Sequence, residues 1–299
     1  MTPRQPGPER RTVRAPDLTL RSSLAGEAQA AASEVEQALA VAPDPRAAAF
    51  FDVDNTIVQG ASIYHLARGM YDRGFFGRRE MWEALRRQVS FRLLGAENAG
   101  HVADARVSAL GLIAGHPVSE LQSLAEDVFD DGMAHRIWPG TRALAQIHLD
   151  RGERVWLVTA APIEIAEVIA RRLGLTGAMG TVAEHVDGVY TGRLVGDLLH
   201  GPAKRDVVAE LVEAEGLDPA ACSAYSDSVN DLPLLGLVGH PCAVNPDRRL
   251  RRHAEEQGWP VRDYRVGRRA ARAGLTTAGV AGALTLGAAA VAARRRGGG

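Results

Sequence analysis

Cysteine is nearly absent: 299 residues contain two, Cys222 and Cys242. Their spacing suits neither a zinc knuckle nor a disulfide framework, so both read as small buried apolar residues in a reducing compartment. Nine histidines include no pair at zinc-site spacing. Net charge is nearly absent too, with 35 basic residues against 36 acidic ones. That balance excludes a globally basic nucleic-acid binder and a highly charged disordered chain. Aromatics make up 5%, and the arginines of the C-terminal region are accompanied only by Trp259 and Tyr264, so no nucleic-acid partner is expected. Residues 1–17 are rich in Pro and Arg and hold no apolar core, which argues against a signal peptide and predicts a disordered tail on a cytoplasmic protein. No internal repeat is present. Against these absences, 46% of the chain is hydrophobic, enough for a sizeable core.

Charge is unevenly distributed. From Asp247 to the end, twelve arginines stand against four acidic residues, so the remainder is net acidic. In 18–46, Leu24, Ala28, Ala31, Val35 and Leu39 recur at helical spacing, which predicts an amphipathic helix and linker ended by Asp44-Pro45. Residues 247–272 read as a basic segment and 294–299 as a tail. Between them 273–293 holds no charge, and arginines flank both ends. At 1.5 Å per residue this stretch would span roughly 31 Å, near the hydrocarbon thickness of a bilayer. Ala, Gly and Thr dominate it, so a flexible tail or a surface helix competes with a transmembrane helix. The expectation is a membrane-associated C-terminal helix holding a cytoplasmic catalytic domain at the inner face of the membrane.

The middle of the chain alternates short apolar runs with helical ones. Ala47–Val53, Arg154–Thr159, Ala221–Ser226 and His240–Val244 read as strands; Gly140–Asp150, Pro162–Leu173 and Lys204–Glu215 read as helices. Short buried strands followed by helices predict an α/β fold with a parallel sheet covered on both faces, whose ligands bind at the carboxyl ends of the strands. From about Gln59 to His135 only helices are expected, at 64–73, 78–94, 98–114 and 119–133, forming a cap placed to exclude water and select substrate. The core is thus 47–59 and 136–246, the cap 60–135. Asp187-Gly188 between β-formers predicts a hairpin.

Polar residues gather where those strands end. In Asp52-Val53-Asp54-Asn55-Thr56 two carboxylates lie two residues apart, on one side of an extended segment. Such a pair calls for a divalent cation, a shared proton or both, and a hard cation such as Mg²⁺ suits carboxylates plus a backbone carbonyl. Thr159 ends the second strand, and Ala160-Ala161 are small enough for a phosphate to approach backbone N–H groups near a helix start. Lys204 opens a helix after Gly201-Pro202 and is the sole lysine of the chain; a compact ammonium there could reach a phosphoryl oxygen. Ser226-Asp227-Ser228-Val229-Asn230-Asp231 adds two more carboxylates, more than a helix cap needs.

The ordered set FFDVDNT, LVT, GPAK and SDSVNDLPLL resembles the four motifs of the haloacid dehalogenase superfamily. The helical insertion resembles its type 1 cap, and the EHVDGVYTG hairpin and VNPDRRLRRHAEEQGWPV ending resemble its phosphoserine-phosphatase-like subfamily IB. The resemblance spans about 47–261 and implies a Rossmann-like doubly wound core. It also implies Asp52 as the nucleophile that forms an aspartyl-phosphate, and Asp54 as general acid–base. Mg²⁺ would be held by Asp52, Asp227 and the Asp54 carbonyl, with Asn230 and Asp231 around it and Asp231 ordering its waters. Thr159, Ala160 and Lys204 would bind phosphate. Superfamily dehalogenases lack the second Asp of the first motif, so Asp54 and Asp227 favour phosphate chemistry. Phosphoserine phosphatases carry a Glu nine residues after the nucleophile to read the substrate ammonium. Ala61 stands there, so phosphoserine specificity is not assigned.

The expected function is a Mg²⁺-dependent phosphomonoesterase acting on a small phosphorylated metabolite. The alternatives are a membrane-associated lipid-phosphate phosphatase and a non-catalytic membrane scaffold. A homo-oligomer is left open.

Overall fold

Two consecutive phenylalanines at the centre of the sheet face opposite ways. In a computed structural model of the protein, the described residues are 44–75, 110–111 and 113–265. Apart from Arg265 they lie in one unit, Glu34–Tyr264. Strand β1 (Ala48–Phe51) is fully buried, and the two-residue period of a strand sends Phe51 into one hydrophobic cluster and Phe50 into another on the far face. Burying each ring is worth about 1.5–3 kcal/mol.

β1 pairs in parallel with β2 (Arg154–Pro162) on one side. Beyond β2 lies β3 (Gly177–Thr181). A hairpin, β4 (Ala183–Val186) and β5 (Val189–Leu194), stands apart. On the other side of β1 follow β6 (Ser223–Ser226), β7 (His240–Val244) and β8 (Val261–Arg262). The sheet order is β3-β2-β1-β6-β7-β8, with every pairing parallel. The chain therefore winds outward from β1 in one direction, then returns and winds outward in the other. The crevice at this reversal, beyond the carboxyl ends of β1, β2 and β6, is where such sheets bind ligands.

The predicted parallel α/β architecture holds, and the four anticipated strands all form. Two strands were not anticipated. β3 reads Gly-Ala-Met-Gly-Thr and lacks a run of β-formers, while β8 has two residues; both exist because a neighbouring strand offers its edge. β8 also carries the sheet past residue 246, where the core was expected to end. There α7 (Arg248–Gln257) buries Leu250 and Ala254.

The cap enters after β1. Helix α1 (Ser62–Asp72) crosses α2 (Val118–Val128) closely at Gly69, where a Cβ would lie 2.5 Å from Val128 Cγ2. A π-helical turn (Phe129–Met133) and a 3₁₀ turn (Ala134–Arg136) lead back to the core. The outgoing and returning segments are stitched together: Gln59 N donates to Arg136 O (2.8 Å) and Trp138 N to Ile57 O (2.9 Å). The hairpin turns through Asp187 and Gly188, both at positive φ as its sequence predicts, and β5 bonds to the cap at His116. The expected cap helix at 78–94, most of that at 98–114, and the N-terminal segments 1–17 and 18–43 lie outside the described residues. Helices α3 (Pro139–Asp150), α4 (Ile163–Leu173) and α5 (Pro202–Ala214) match the sequence reading, and a short α6 (Leu232–Leu235) follows β6.

The expectation of a transmembrane helix is corrected. Among the described residues no helix is long and apolar enough to cross a membrane, and segment 273–293, which carried that expectation, lies outside them. Its weak point is compositional, since Ala, Gly and Thr supply little transfer free energy.

Candidate active site

Sheet register alone brings three sequence motifs to one level. Phe51 pairs with Leu157 of β2 and with Tyr225 of β6, so Asp52, Thr159 and Asp227 follow within two residues of one sheet level. Asp52 is buried at this edge, its N–H donating to Tyr225 O at 2.9 Å.

Helix α5 supplies the counter-charge. Lys204 sits in its first turn, 3% exposed. Its Nζ donates to Asp52 Oδ1 at 2.6 Å and to Asp231 Oδ2 at 2.8 Å. Asp231 Oδ2 also accepts from Ser226 Oγ at 2.7 Å. Burial disfavours the ammonium, but the Asp52 and Asp231 carboxylates outweigh it and raise the Lys204 pKa. Burial pushes the Asp52 carboxyl up to about 6, against the lowering effect of Lys204. Burial, and then the Asp52 charge, push Asp227 up to about 7. The Asp231 and Asp54 charges raise Asp52 further, as Asp52 and Asp231 raise Asp227, so carboxylates outnumber the single ammonium at this site.

The loop turns just after Asp54, which itself forms an isolated parallel bridge with Val58: Asn55 adopts a left-handed conformation (φ +59°). Asp54 Oδ1 accepts from Ser62 N at 2.8 Å. It thereby caps α1, whose own N-cap residue, Ala61, has no capping side chain. The Asn55 side chain lies against Asp227 and lowers its pKa, opposing the effect of burial, and its Oδ1 accepts from Gly60 N at 3.1 Å. Asn55 thus joins the first and fourth motifs, a role the sequence reading missed.

The phosphate-binding expectation rests on a bulge. Pairing of β2 with β3 jumps between Val158 and Pro162, so Thr159, Ala160 and Ala161 leave the ladder at the strand end, as bulges beside active sites do. Thr159 is buried, and its Oγ1 accepts from Ala161 N at 3.1 Å. Gly180 of β3 makes the bulge possible: a Cβ there would lie 2.8 Å from Ile163 Cα and 3.0 Å from Ala161 O. Asn230 is exposed, and its carbonyl would lie 3.6 Å from a Cβ on Gly201. Asp231 is turned to Lys204 and Ser226.

For Mg²⁺ the donor set fits. Among the described residues no group of three His, Cys, Asp or Glu side chains is placed to hold a metal. The expected set needs none, because it consists of two carboxylates and the Asp54 main-chain carbonyl. These are hard oxygen donors at a site already too negative for its one ammonium.

A cavity of about 480 Å³ lies in the cap, lined among others by His65, His135, Arg136, Arg68 and Asp131. His65 is one turn along α1 from Ser62, and burial and then Arg136 and His135 lower its pKa while Asp54 works the other way. Another cavity, of about 320 Å³ and lined partly by Tyr225, Cys242 and Arg262, contains none of the residues assigned from the sequence.

Comparison with known proteins agrees with this geometry. A model of the haloacid dehalogenase-like hydrolase family matches residues 49–236. The chain is 53% identical over 253 residues to the phosphoserine phosphatase SerB1 of Mycobacterium tuberculosis, covering 85% of this chain and 82% of that one. It is 31% identical over 222 residues to a histidinol-phosphatase of Neisseria meningitidis, covering 73% and 98%. A crystal structure of a protein of unknown function from Bordetella pertussis Tohama I superposes with a TM-score of 0.64 at 32% identity, covering 73% of this chain and 98% of that one.

Proposed function

The chain belongs to the haloacid dehalogenase-like hydrolase family, in its phosphoserine-phosphatase-like branch, and from that premise we propose how its residues divide the work of a phosphatase that passes through an aspartyl-phosphate. Asp52 attacks phosphorus, and the bond from phosphorus to the ester oxygen breaks. Asp54 gives its proton to the departing alkoxide. In the second half Asp54 takes a proton from water, the water oxygen attacks the aspartyl-phosphate, and inorganic phosphate leaves with Asp52 restored. Lys204 steadies Asp52 and offsets charge on the phosphoryl oxygens, with Thr159 and the backbone at Ala160. Asp231 and Ser226 hold Lys204. Asp52, Asp227 and the Asp54 carbonyl would hold Mg²⁺, which would supply further neutralisation of phosphoryl charge when bound. The observation that carries this reading is Lys204 Nζ lying 2.6 Å from Asp52 and 2.8 Å from Asp231, which brings residues from three motifs into contact. Purified protein is expected to release inorganic phosphate from small phosphomonoesters with Mg²⁺ and not with EDTA; no release from any of a broad panel sinks the reading.

The same residues set a stability profile. Asp52 and Asp227 ionise less readily in the folded protein than in the unfolded chain, where carboxylates titrate near 4. Their stabilising contribution is therefore complete below about pH 4 and lost as pH rises through 6 and 7. In EDTA the protein is expected to melt higher at pH 5.5 than at pH 8. Added Mg²⁺, which needs both carboxylates ionised, is expected to raise the melting temperature most at pH 8. A thermal-shift series checks this, and equal Mg²⁺ shifts at both pH values speak against it.

Phosphoserine heads the substrate panel because of the SerB1 relative, with histidinol phosphate beside it. Ala61 offers no carboxylate to an ammonium group, so the leaving group is assigned to the cap cavity with His65 and Arg136. Arg136→Gln is expected to raise KM about tenfold for an ester whose alcohol carries a carboxylate, with kcat nearly unchanged, because it removes binding common to ground and transition states. Steady-state kinetics on esters with and without that carboxylate tests the assignment.

A further inference from the structure

Beyond the four motifs, a short segment after β7, Asn245-Pro246-Asp247, touches both loops that carry them. Asn245 is completely buried and left-handed (φ +47°), a conformation non-glycine residues rarely adopt and asparagine tolerates best. Its Nδ2 donates to Asn55 O at 2.8 Å across 190 residues of chain. Its Oδ1 accepts from Tyr264 N at 2.8 Å, and its N–H donates to Arg262 O at 2.7 Å. Asp247 does the same for the other loop: its N–H donates to Asp227 O at 2.8 Å, and its Oδ2 accepts from Val229 N at 2.9 Å. Its Oδ1 caps α7 through Arg249 N and Leu250 N, both at 2.8 Å.

The Asn55 side chain lies against Asp227 and lowers its pKa, so the contacts run through both loops: Asn245 holds Asn55, Asn55 faces Asp227, and Asp247 holds Asp227. Two left-handed asparagines on opposite sides of one hydrogen bond are a strained arrangement of the kind that persists where surrounding contacts enforce it. We propose that Asn245 and Asp247 are positioning residues that set the separation of the Asp52–Asn55 and Asp227–Asp231 loops, and so tune Mg²⁺ affinity and turnover without touching substrate. The proposal rests on the assignment of Asp52 and Asp227 to one site.

The chemistry of the amide makes the test specific. Asn245→Asp keeps size, backbone preference and the acceptor for Tyr264 N, but puts an oxygen against the Asn55 carbonyl. Asn245→Gly keeps the left-handed backbone and loses both side-chain bonds. Each is expected to raise the Mg²⁺ concentration for half-maximal activation and the Mg²⁺ dissociation constant from thermal shift about 10- to 100-fold, the range seen when groups supporting metal ligands are removed. KM at saturating Mg²⁺ should change little, and kcat should fall about tenfold. Thr176→Val is the control for destabilisation alone: it removes the acceptor of Val155 N (2.8 Å) at the opposite end of β2. It should lower the melting temperature and leave Mg²⁺ affinity as in the wild type. Should both Asn245 variants match that control, folding with wild-type Mg²⁺ affinity and kcat, the positioning role is overturned. Were the wild-type protein itself to show neither Mg²⁺ binding nor turnover, the function proposed above would fail instead.

Discussion

Lys204→Met is expected to remove both turnover and a large part of the folding stability. The ammonium is 3% exposed and donates to two carboxylates. Without it Asp52 and Asp231 remain buried with no counter-charge, a situation that costs about 3–5 kcal/mol in proteins where one partner of a buried ion pair is deleted. That is a large share of the roughly 5–15 kcal/mol by which domains are stable. The loss should shrink at acid pH, because a proton on one carboxylate replaces the missing cation. Turnover should fall by about 10³-fold or more, as for removal of a preorganised charge from a transition state. Lys204→Arg is not expected to rescue it, since a planar guanidinium does not fit the buried point occupied by an ammonium. Urea unfolding at pH 8 and pH 5.5, with phosphate release, measures both effects. A variant with wild-type stability and turnover would show that Lys204 is incidental.

Asp52→Asn should behave in the opposite way towards stability while being more damaging to chemistry. An amide cannot form the acyl phosphate, so turnover is expected to drop by about 10⁴-fold or more. Its carbonyl oxygen can still accept from Lys204, so the contact that orders α5 against β1 survives. Ionised Asp52 is held at a cost, visible in its rise to about 6, so at pH 8 the neutral amide should melt no lower than the wild type in EDTA. Intact-mass spectra of acid-quenched turnover mixtures should show one added phosphoryl group on the wild type and none on the variant. Substantial residual turnover, or a phosphoryl adduct on the variant, would assign the nucleophile elsewhere. Together the two substitutions separate the charge that holds the site from the carboxylate that reacts.

The first and fourth motifs were legible because four polar stretches occur in order at or near strand ends; two carboxylates two residues apart would alone be a weak signal. The lysine was legible because no other lysine competes with it. The supporting residues were not. Asn55 reads as an ordinary turn residue, and its left-handed backbone appears only in the folded loop. Asn245 stands just after the β7 strand that the sequence does predict, at the edge where ligands bind, so its position was a usable signal. Its partner, 190 residues away, was not. Asp54 illustrates the limit from another side: the sequence identified the residue but not its partner, Ser62 N, which the turn at Asn55 brings to its side chain.

Composition, periodicity and motif order by themselves determined the class of fold, the insertion of helices after the first strand, and the chemistry of a phosphoryl site, because side-chain type and spacing are local properties. Only tertiary structure decided that Lys204 bonds to Asp52 across 152 residues, that a bulge lifts Thr159 out of its ladder, and that an Asn–Pro–Asp segment braces both loops. Those depend on strand register and on which backbone groups are left over when the sheet closes, and both are settled by the whole packing at once.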